Sequence, residues 1–472
     1  NMTAFAILGS SGLAYRIGIG VFPMMASSSA IVIPLTIFFI GTRLWWLGKR
    51  YGHMTQVQFL RDRWECGGIG TFIFAITAAM LVPYIIIGVM GGGRTLEAIS
   101  NGAVSYEVGG LIVAVVVMSY VFFGGMRGTA WVNTFQTVLF LCFGAAAFIL
   151  LARSLGGFDT IMQAILNAPK PEHGPPPAQL LSRERVPPGE FLSYMFIPLS
   201  SIMFPHIAIM CMTAEKVGHF KKTVILYPLC IAAIWIPSVF LGVVGASQIP
   251  GLAPGESDSI LIRLLSAHVG TLVSGALGAG IMACVMASDS QILALSTMFT
   301  EDVFAYYGGK DRFGDKAQVW AGRLFVVLIA AVSYVIALML KDSASIFELA
   351  IQFAFSGFAA LAPVMLAALF WKRSTKWGAL AAAVWTTACV LGIWYLHNAS
   401  DGIAPGPGQP PVPIIPALGD MFLRTPVKVT FYGYLPVMPM CLGSAIILVL
   451  VSLVTPPPSQ KTLDRYFPAR AK

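Results

Sequence analysis

The chain has 472 residues, of which 57% are hydrophobic and only 11% are charged. Its mean hydropathy of +0.78 excludes a soluble globular protein. The formal net charge is +9, but the basic residues stand in short clusters between apolar runs, which is typical of membrane orientation signals and indicates no nucleic-acid partner.

Apolar runs of about 20 residues predict transmembrane helices, because that length crosses the hydrocarbon core. The sequence predicts about twelve spans, at roughly 1–22, 27–48, 70–98, 107–125, 130–152, 190–212, 222–246, 269–300, 319–340, 345–371, 376–397 and 432–455. Residues 1–455 are therefore expected to form a single polytopic domain, and 456–472 a cytoplasmic tail. Because the first residues read as the middle of a helix, we expect an N-terminal part of the protein to precede them.

Lysine and arginine residues fall on alternate loops, including 43–63, 216–222, 310–323 and 372–376. The positive-inside rule places these loops in the cytoplasm, as expected for a multi-pass protein of the cell (inner) membrane. The intervening loops 167–189 and 398–431 face outward and are rich in proline, which excludes a regular helix. They are either lids or irregular linkers, and their composition favours linkers.

Cysteine and histidine residues give no indication of a metal site or a disulfide framework. Six of the seven cysteines lie in apolar spans, and no two of the six histidines have zinc spacing. No loop carries a nucleophile or an acid–base pair with suitable spacing. We therefore expect no enzyme activity and no cofactor.

One acid, Asp289, lies near the middle of the eighth predicted span. An unpaired carboxylate in hydrocarbon is unfavourable by several kcal/mol, so this side chain must face the protein interior or a water-filled cavity. Arg16 and Arg94 stand nearer the outer ends of their spans, where long side chains can reach the interface.

The run ASDSQILALSTMFTED at 287–302 resembles the signature helix of the sodium:solute symporter family. Three further segments are similar to that family and occur in the family's order: FFGGMRGTAWVNTFQ at 122–136, FPHI at 204–207 with TAEK at 213–216, and APVMLAALFWKR at 362–373. The resemblance implies an all-α membrane protein with an inverted repeat of two five-helix units, in which helices 1 and 6 are broken. The repeats would cover about 1–152 and 190–371, with additional C-terminal helices at about 376–455.

The resemblance also implies a common sodium site, with an alanine carbonyl on helix eight followed by two hydroxyl residues three and four positions later. These positions fall on Ala283, Met286 and Ala287. Met286 and Ala287 have no side-chain oxygen, so the site is degenerate in this chain.

Some members of the family have a second cation site, formed by an acid on helix five and hydroxyl groups on helix eight. Here the helix-five position is Asn133, and a helix-eight hydroxyl position is Asp289, followed by Ser290. The resemblance thus implies that this cluster holds a sodium ion or that Asp289 exchanges a proton. In the alternative interpretation, Asp289 only links two helices by hydrogen bonds.

The sixth span carries Pro198 and Pro205, which remove backbone donors inside the membrane and predict a break. Its FPH element looks like that of family branches that carry short carboxylic acids or pantothenate, although Met210 stands where those branches often have arginine. The predicted solute contacts lie around this break, in the first span and in the tenth: Phe5, Ser200, Ser201, Phe204, His206, Gln352 and Ser356.

These observations predict a secondary active transporter that imports a small organic solute, for which a carboxylic acid is one candidate. The coupling ion, sodium or a proton, would bind near Asp289. The alternative is a transporter-like sensor or an accessory subunit that associates with other membrane subunits and has degenerate ion sites. A signalling domain fused beyond Lys472 would favour that alternative.

Overall fold

Long apolar helices dominate the structure, because inside a bilayer a backbone must satisfy its own hydrogen bonds. The computed structural model describes residues 4–167, 177–285, 288–341, 346–406 and 409–468. Within these residues, eight helices are long and apolar enough to cross a membrane, and one bent pair adds a ninth span. The predicted class, an all-α membrane protein, is confirmed.

The first half of the chain contains six helices and one π-helical turn. They are the π-helical turn Phe5–Gly9, α1 (Ser10–Ile17), α2 (Val21–Tyr51), α3 (Gln56–Arg63), α4 (Gly67–Ile99), α5 (Tyr106–Ser154) and α6 (Phe158–Asn167). The first span ends at Gly18, whose φ of 91° suits glycine, so the second begins earlier than predicted. The non-helical backbone of Gly125 (φ 53°) divides the 49-residue α5 into the predicted fourth and fifth spans.

The second half begins with a 3-10 turn at Pro177–Leu181; residues 168–176 of the first outer loop lie outside the described residues. Its helices are α7 (Pro188–Tyr194), a 3-10 segment Ile197–Ile202, α8 (Pro205–Thr213), α9 (His219–Gln248), α10 (Pro254–Ser257), α11 (Ile260–His268), α12 (Thr271–Val285), α13 (Asp289–Met298) with a π-helical turn Phe299–Ala305, α14 (Gly309–Met339), α15 (Ile346–Leu349), a π-helical turn Ala350–Phe355 and α16 (Ser356–Phe370).

The sixth predicted span is broken where the sequence predicts it. The segments before and after the break differ in direction by 44°. Phe204 has an extended backbone (ψ 118°), and Pro205 opens α8 as its first residue, where a missing N–H leaves no hydrogen bond unmade. The break thus exposes the start of α8 to the middle of the protein.

The C-terminal part adds two long helices and a small sheet. Its elements are α17 (Lys376–Ala399), 3-10 turns Asp401–Ile403 and Pro416–Met421, β1 (Val412–Pro413), β2 (Phe422–Arg424), β3 (Val429–Phe431), α18 (Val437–Val454) and α19 (Gln460–Tyr466). The strands form an antiparallel sheet in the order β1-β2-β3, with Leu423 opposite Thr430. The linker interpretation of this loop is wrong for its second half, because β-branched and aromatic residues pair there as strands.

The helices pack in two groups, each containing members of both halves. In one group α1 and α2 contact α8 and α9, and in the other α4 and α5 contact α12, α13 and α14. Corresponding helices of the two halves therefore lie side by side, as an inverted repeat requires. The two groups meet where α13 contacts α8.

Ion pairs join helices on the predicted outer side of the molecule. Arg16 on α1 contacts Glu348 on α15 at 2.8 Å, and Arg94 on α4 pairs with the buried Asp258 between α10 and α11. Both arginines thus pair with acids inside the protein rather than extending to the lipid interface as predicted, because desolvated acids lie within reach. The outer loop is fixed as well, since Lys428 in the loop pairs with Glu190 on α7.

Candidate functional site

Asp289 is the first residue of α13, and its side chain is fully buried (0% exposed). On the adjacent α5, Asn133 Nδ2 donates to both carboxylate oxygens, at 2.9 and 3.0 Å. The backbone N–H of Ser290 donates to Asp289 Oδ1 at 2.5 Å, and the Tyr120 hydroxyl also hydrogen-bonds the carboxylate. The carboxylate is thus held among hydrogen-bond donors, as a charge at membrane depth requires.

Four oxygen atoms surround the amide nitrogen of Asn133. They belong to the Asp289 carboxylate (two), to Ser290 Oγ at 3.1 Å and to Thr129 O at 2.9 Å. The orientation of the amide follows from chemistry, because the Thr129 carbonyl and an ionised carboxylate can only accept. The NH₂ group has only two hydrogens to donate, whereas four oxygen atoms lie within hydrogen-bond distance of its nitrogen. The nitrogen therefore lies in a position lined by oxygen atoms, which is the kind of position that hard cations occupy.

The structure brings together three of the residues predicted to bind a cation, namely Asp289, Ser290 and Asn133. Ala283 lies on α12, half-buried, and does not line the cavity next to the cluster. Met286 and Ala287, predicted as degenerate sodium-site positions, lie outside the described residues.

A cavity of about 480 Å³ adjoins the cluster. Asn133 and Ser290 form part of its wall, and His206 on α8 lies on the same cavity. It extends to His219, an exposed residue at the cytoplasmic start of α9. The cavity opens on the side predicted to be cytoplasmic, and buried ion pairs join helices on the opposite side, so we interpret this conformation as inward-facing.

The predicted aromatic contacts form a packed cluster beside the cavity. The ring of Phe5 lies 5.3 Å from that of Phe347 and 5.0 Å from that of Phe355, and Phe204 lies 5.1 Å from His206. Phe5 and Phe204 are buried (6% and 3% exposed). Neither ring lines the cavity, and only His206 among the predicted solute residues does.

Two of the three predicted serines, Ser201 and Ser356, hydrogen-bond to backbone carbonyls of their own segments. Ser201 Oγ donates to Pro198 O at 2.7 Å, Ser356 Oγ donates to Ile351 O, and Ser200 is buried at 3% exposed. None of the three lines the cavity.

Gln352 lies at a place that the sequence does not predict. Its Nε2 donates to Val427 O at 3.2 Å, and its Oε1 accepts the N–H of Val429 at 3.1 Å. The side chain is therefore bound to the outer sheet rather than to the cavity in this conformation. An extended backbone presents a C=O acceptor and an N–H donor on the same edge. These match the NH₂ donor and the C=O acceptor of a glutamine side chain.

Several cavity residues were not predicted from the sequence to be solute contacts. Ile207, Met210 and Cys211 lie on the wall contributed by α8, and their i, i+3, i+4 spacing is the signal that places them on one helix face. Thr223 and Tyr227 lie on the wall contributed by α9, and their i, i+4 spacing likewise places them on one helix face.

Comparison with known proteins identifies the family to which the chain belongs. The model of the sodium:solute symporter family matches residues 1–385. The uncharacterized symporter YhjB of Bacillus subtilis is 25% identical over 309 residues, which are 64% of this chain and 60% of that protein. The high-affinity proline transporter PutP of the same organism is 25% identical over 85% of this chain and 83% of that protein. The sodium/proline symporter of Escherichia coli is 27% identical over 66% and 61%.

Two solved structures share the fold. A Na⁺-coupled sialic acid symporter, described as substrate-bound and outward-open with a novel Na⁺ site, aligns with a TM-score of 0.68 and 14% identity over 97% of this chain and 88% of its own. A nucleobase-cation-symport-1 family transporter in a closed conformation aligns with a TM-score of 0.51 and 11% identity, covering 98% and 95%. At these identities the likeness shows the fold alone.

Proposed function

Because this chain belongs to the sodium:solute symporter family, we propose that it is a secondary active transporter that imports a small organic solute together with a cation bound beside Asp289. The cation is a sodium ion or a proton. Two of the relatives are named as proline transporters or symporters, which makes proline the first solute to test.

One observation carries the proposal: the Asp289 cluster and His206 share one cavity. Asn133 and Ser290 bond to the carboxylate and also form the cavity wall. A cation held there lies next to a solute in the cavity, so each one changes the binding free energy of the other. Such mutual stabilisation couples the flux of a solute to an ion gradient.

The burial of Asp289 supports a functional role for the charge. A neutral amide or hydroxyl at this position would link α5 to α13 without the unfavourable free energy of an ionised group at membrane depth. A carboxylate is needed where a positive charge must be bound and released.

The test is uptake of proline into proteoliposomes that contain the full chain, with a sodium or a proton gradient imposed. We expect one gradient to accelerate uptake, and we expect Asp289→Asn to reduce the accelerated rate at least tenfold, because an amide cannot neutralise a cation. Asp159→Asn, which changes an exposed acid on α6, serves as the control. Gradient-driven uptake that survives Asp289→Asn would show that the cation binds elsewhere.

One observation favours the sensor or accessory alternative: both carboxylate oxygens of Asp289 accept hydrogen bonds from protein groups, so the protein itself stabilises this acid. A sensor would bind a solute without moving it. Solute-dependent stabilisation of the purified chain, combined with no uptake under either gradient, is the result expected of this second candidate.

A further inference from the structure

We infer that the solute carries no net negative charge; this rests on the proposed function and deepens it by naming the class of solute. The inference follows from the groups that line the cavity, from the charge beside it and from the poor anion-binding capacity of the start of α8.

The cavity wall carries hydrogen-bonding side chains among apolar ones, and two of its residues, His206 and His219, are histidines. His206, Asn133, Thr137, Thr223, Tyr227 and Ser290 contribute side chains that donate or accept hydrogen bonds. Among the described residues that line the cavity, there is no Lys, Arg, Asp or Glu. The wall therefore offers hydrogen bonds to hydroxyl, amide and amine groups, and no fixed positive charge to a carboxylate or phosphate.

The acid that lies next to this wall is Asp289. Asp289 is adjacent to Ser290 in the chain, and its carboxylate is bonded to Asn133, which itself lines the cavity. An anionic solute here would be repelled by this carboxylate when no cation is bound. The lysines that follow α8 are exposed at the cytoplasmic face and do not line the cavity: Lys216, Lys221 and Lys222.

The charge balance with a bound cation also indicates a solute without net charge. One carboxylate and one monovalent cation sum to zero, so a solute with a net charge of either sign would add an unpaired charge to a partly desolvated site. A net-neutral solute adds none. Uncharged and zwitterionic molecules that form several hydrogen bonds fit this requirement.

The start of α8 does not provide an anion site in place of a basic side chain. Helix N-termini bind anions through free backbone N–H groups. Here Pro205 has no N–H, and the N–H groups of Ile207 and Ala208 both donate to Phe204 O, at 3.1 and 3.0 Å. The first turn of α8 therefore has few free donors to turn toward a negative charge.

Met210 gives the means of testing the inference. It lies on the cavity wall four residues after His206, and 40% of its side chain is exposed. A long cationic side chain at this position enters the cavity without displacing the packed core. Met210→Arg should therefore create the positive charge that the wall lacks, and Met210→Gln changes the same side chain without adding charge.

The experiment measures thermal stabilisation of the purified full chain in NaCl at pH 7.5 by solutes matched in shape and different in charge. The first set is L-proline, cyclopentanecarboxamide and cyclopentanecarboxylate, followed by a panel of small metabolites grouped by net charge. We expect every stabilising compound to be net-neutral for the wild-type chain. Met210→Arg should gain at least tenfold in affinity for a carboxylate analogue of a stabilising compound, and Met210→Gln should not.

A carboxylate that stabilises the wild-type chain and competes with the neutral compounds would overturn the inference and leave the proposed transport intact. A folded Met210→Arg chain that gains no affinity for any anion would overturn the assignment of the cavity. A panel in which no solute of any charge binds would overturn the proposed function, and this inference with it.

Discussion

Asn133 is the residue on which the chemistry of the site depends. Its amide nitrogen is 2.9–3.1 Å from four oxygen atoms, two of them on a buried carboxylate. A cation that binds there must displace this nitrogen, after which the amide can rotate and present its oxygen as a ligand. In the proposed site, the wild-type amide and a bound cation would thus compete for one position.

Removing the amide should make the protein depend on sodium. Asn133→Ala leaves the Asp289 carboxylate short of a donor, which should lower the free energy of unfolding by about 1–3 kcal/mol in KCl. In NaCl of equal ionic strength, an ion can replace the missing NH₂ group and recover most of that loss. Thermal unfolding in the two salts measures the difference.

Thr137→Ala is the matched control, since this hydroxyl lies one turn further along α5 and donates to Asn133 O at 2.7 Å without touching the carboxylate. Adding Asp289→Asn to Asn133→Ala should abolish the sodium effect. Equal destabilisation in both salts would exclude sodium binding at this cluster.

The sequence could predict the contact between Asp289 and Asn133, because an acid in an apolar span needs a partner and the family resemblance identifies the facing helix. It could not predict the role of Gln352. The partners of that side chain are 75 and 77 residues further along the chain, in a loop whose proline content hides its strands. Polarity alone does not distinguish a solute contact from a loop contact.

At the scale of elements, α19 packs on the cytoplasmic loop between α2 and α3. His53 in that loop is buried, its Nε2 is 3.1 Å from the Tyr466 hydroxyl, and the two rings are stacked. Burial lowers the pKa of His53; nearby Asp62 raises it and Arg465 lowers it further, with a net lowering. His53 is therefore neutral when α19 is docked.

Docking of α19 should weaken in acid. A base whose pKa is lowered in the docked state binds fewer protons there than when undocked, so stability is lost as the pH falls below the ordinary value of about 6.5. Hydrogen exchange of the amides in α19 should accelerate several-fold between pH 7.5 and pH 5.5, after correction for the intrinsic pH dependence. His53→Asn, which cannot titrate, should remove this acceleration; an unchanged acceleration in that variant would assign it to another group.

Helix breaks were more predictable than helix ends. Pro205 breaks the sixth span because of its covalent structure, wherever the helix lies. In contrast, α2 begins at Val21 and not near residue 27, because the apolar composition around the glycine that ends α1 gives no boundary signal. The division of α5 at Gly125 was predicted because the run of apolar residues is interrupted around Arg127.

At the scale of the molecule, the inward-facing arrangement depends on contacts across the outer side. Arg16 and Glu348 join α1 to α15 through a pair whose side chains are only 15% and 7% exposed. The ring contacts of Phe5 with Phe347 and Phe355 lie on the same side of the cavity. Alternating access requires all of them to separate in the outward-facing state.

Glu348→Gln should shift the population toward the outward-facing state, because the amide cannot neutralise Arg16. In a cysteine-free background with Ser10→Cys, a membrane-impermeant thiol reagent applied from outside should label about tenfold faster. Ser10 is fully buried and lies on α1 six residues before Arg16. Glu107→Gln is the control, since its pair with Lys341 is 46% and 36% exposed and exposed pairs contribute little. Equal labelling in the two variants would show that the buried pair does not hold the outer side closed.

The attachment of the outer sheet to Gln352 bears on biosynthesis. During translation, Gln352 enters the membrane before Val427 and Val429 leave the ribosome, so its amide cannot yet form these two hydrogen bonds. Until β3 has been translocated, the sheet does not cover the outer side of the nascent chain. The contact between Gln352 and the sheet is consequently completed late in assembly, after nearly the whole chain has been made.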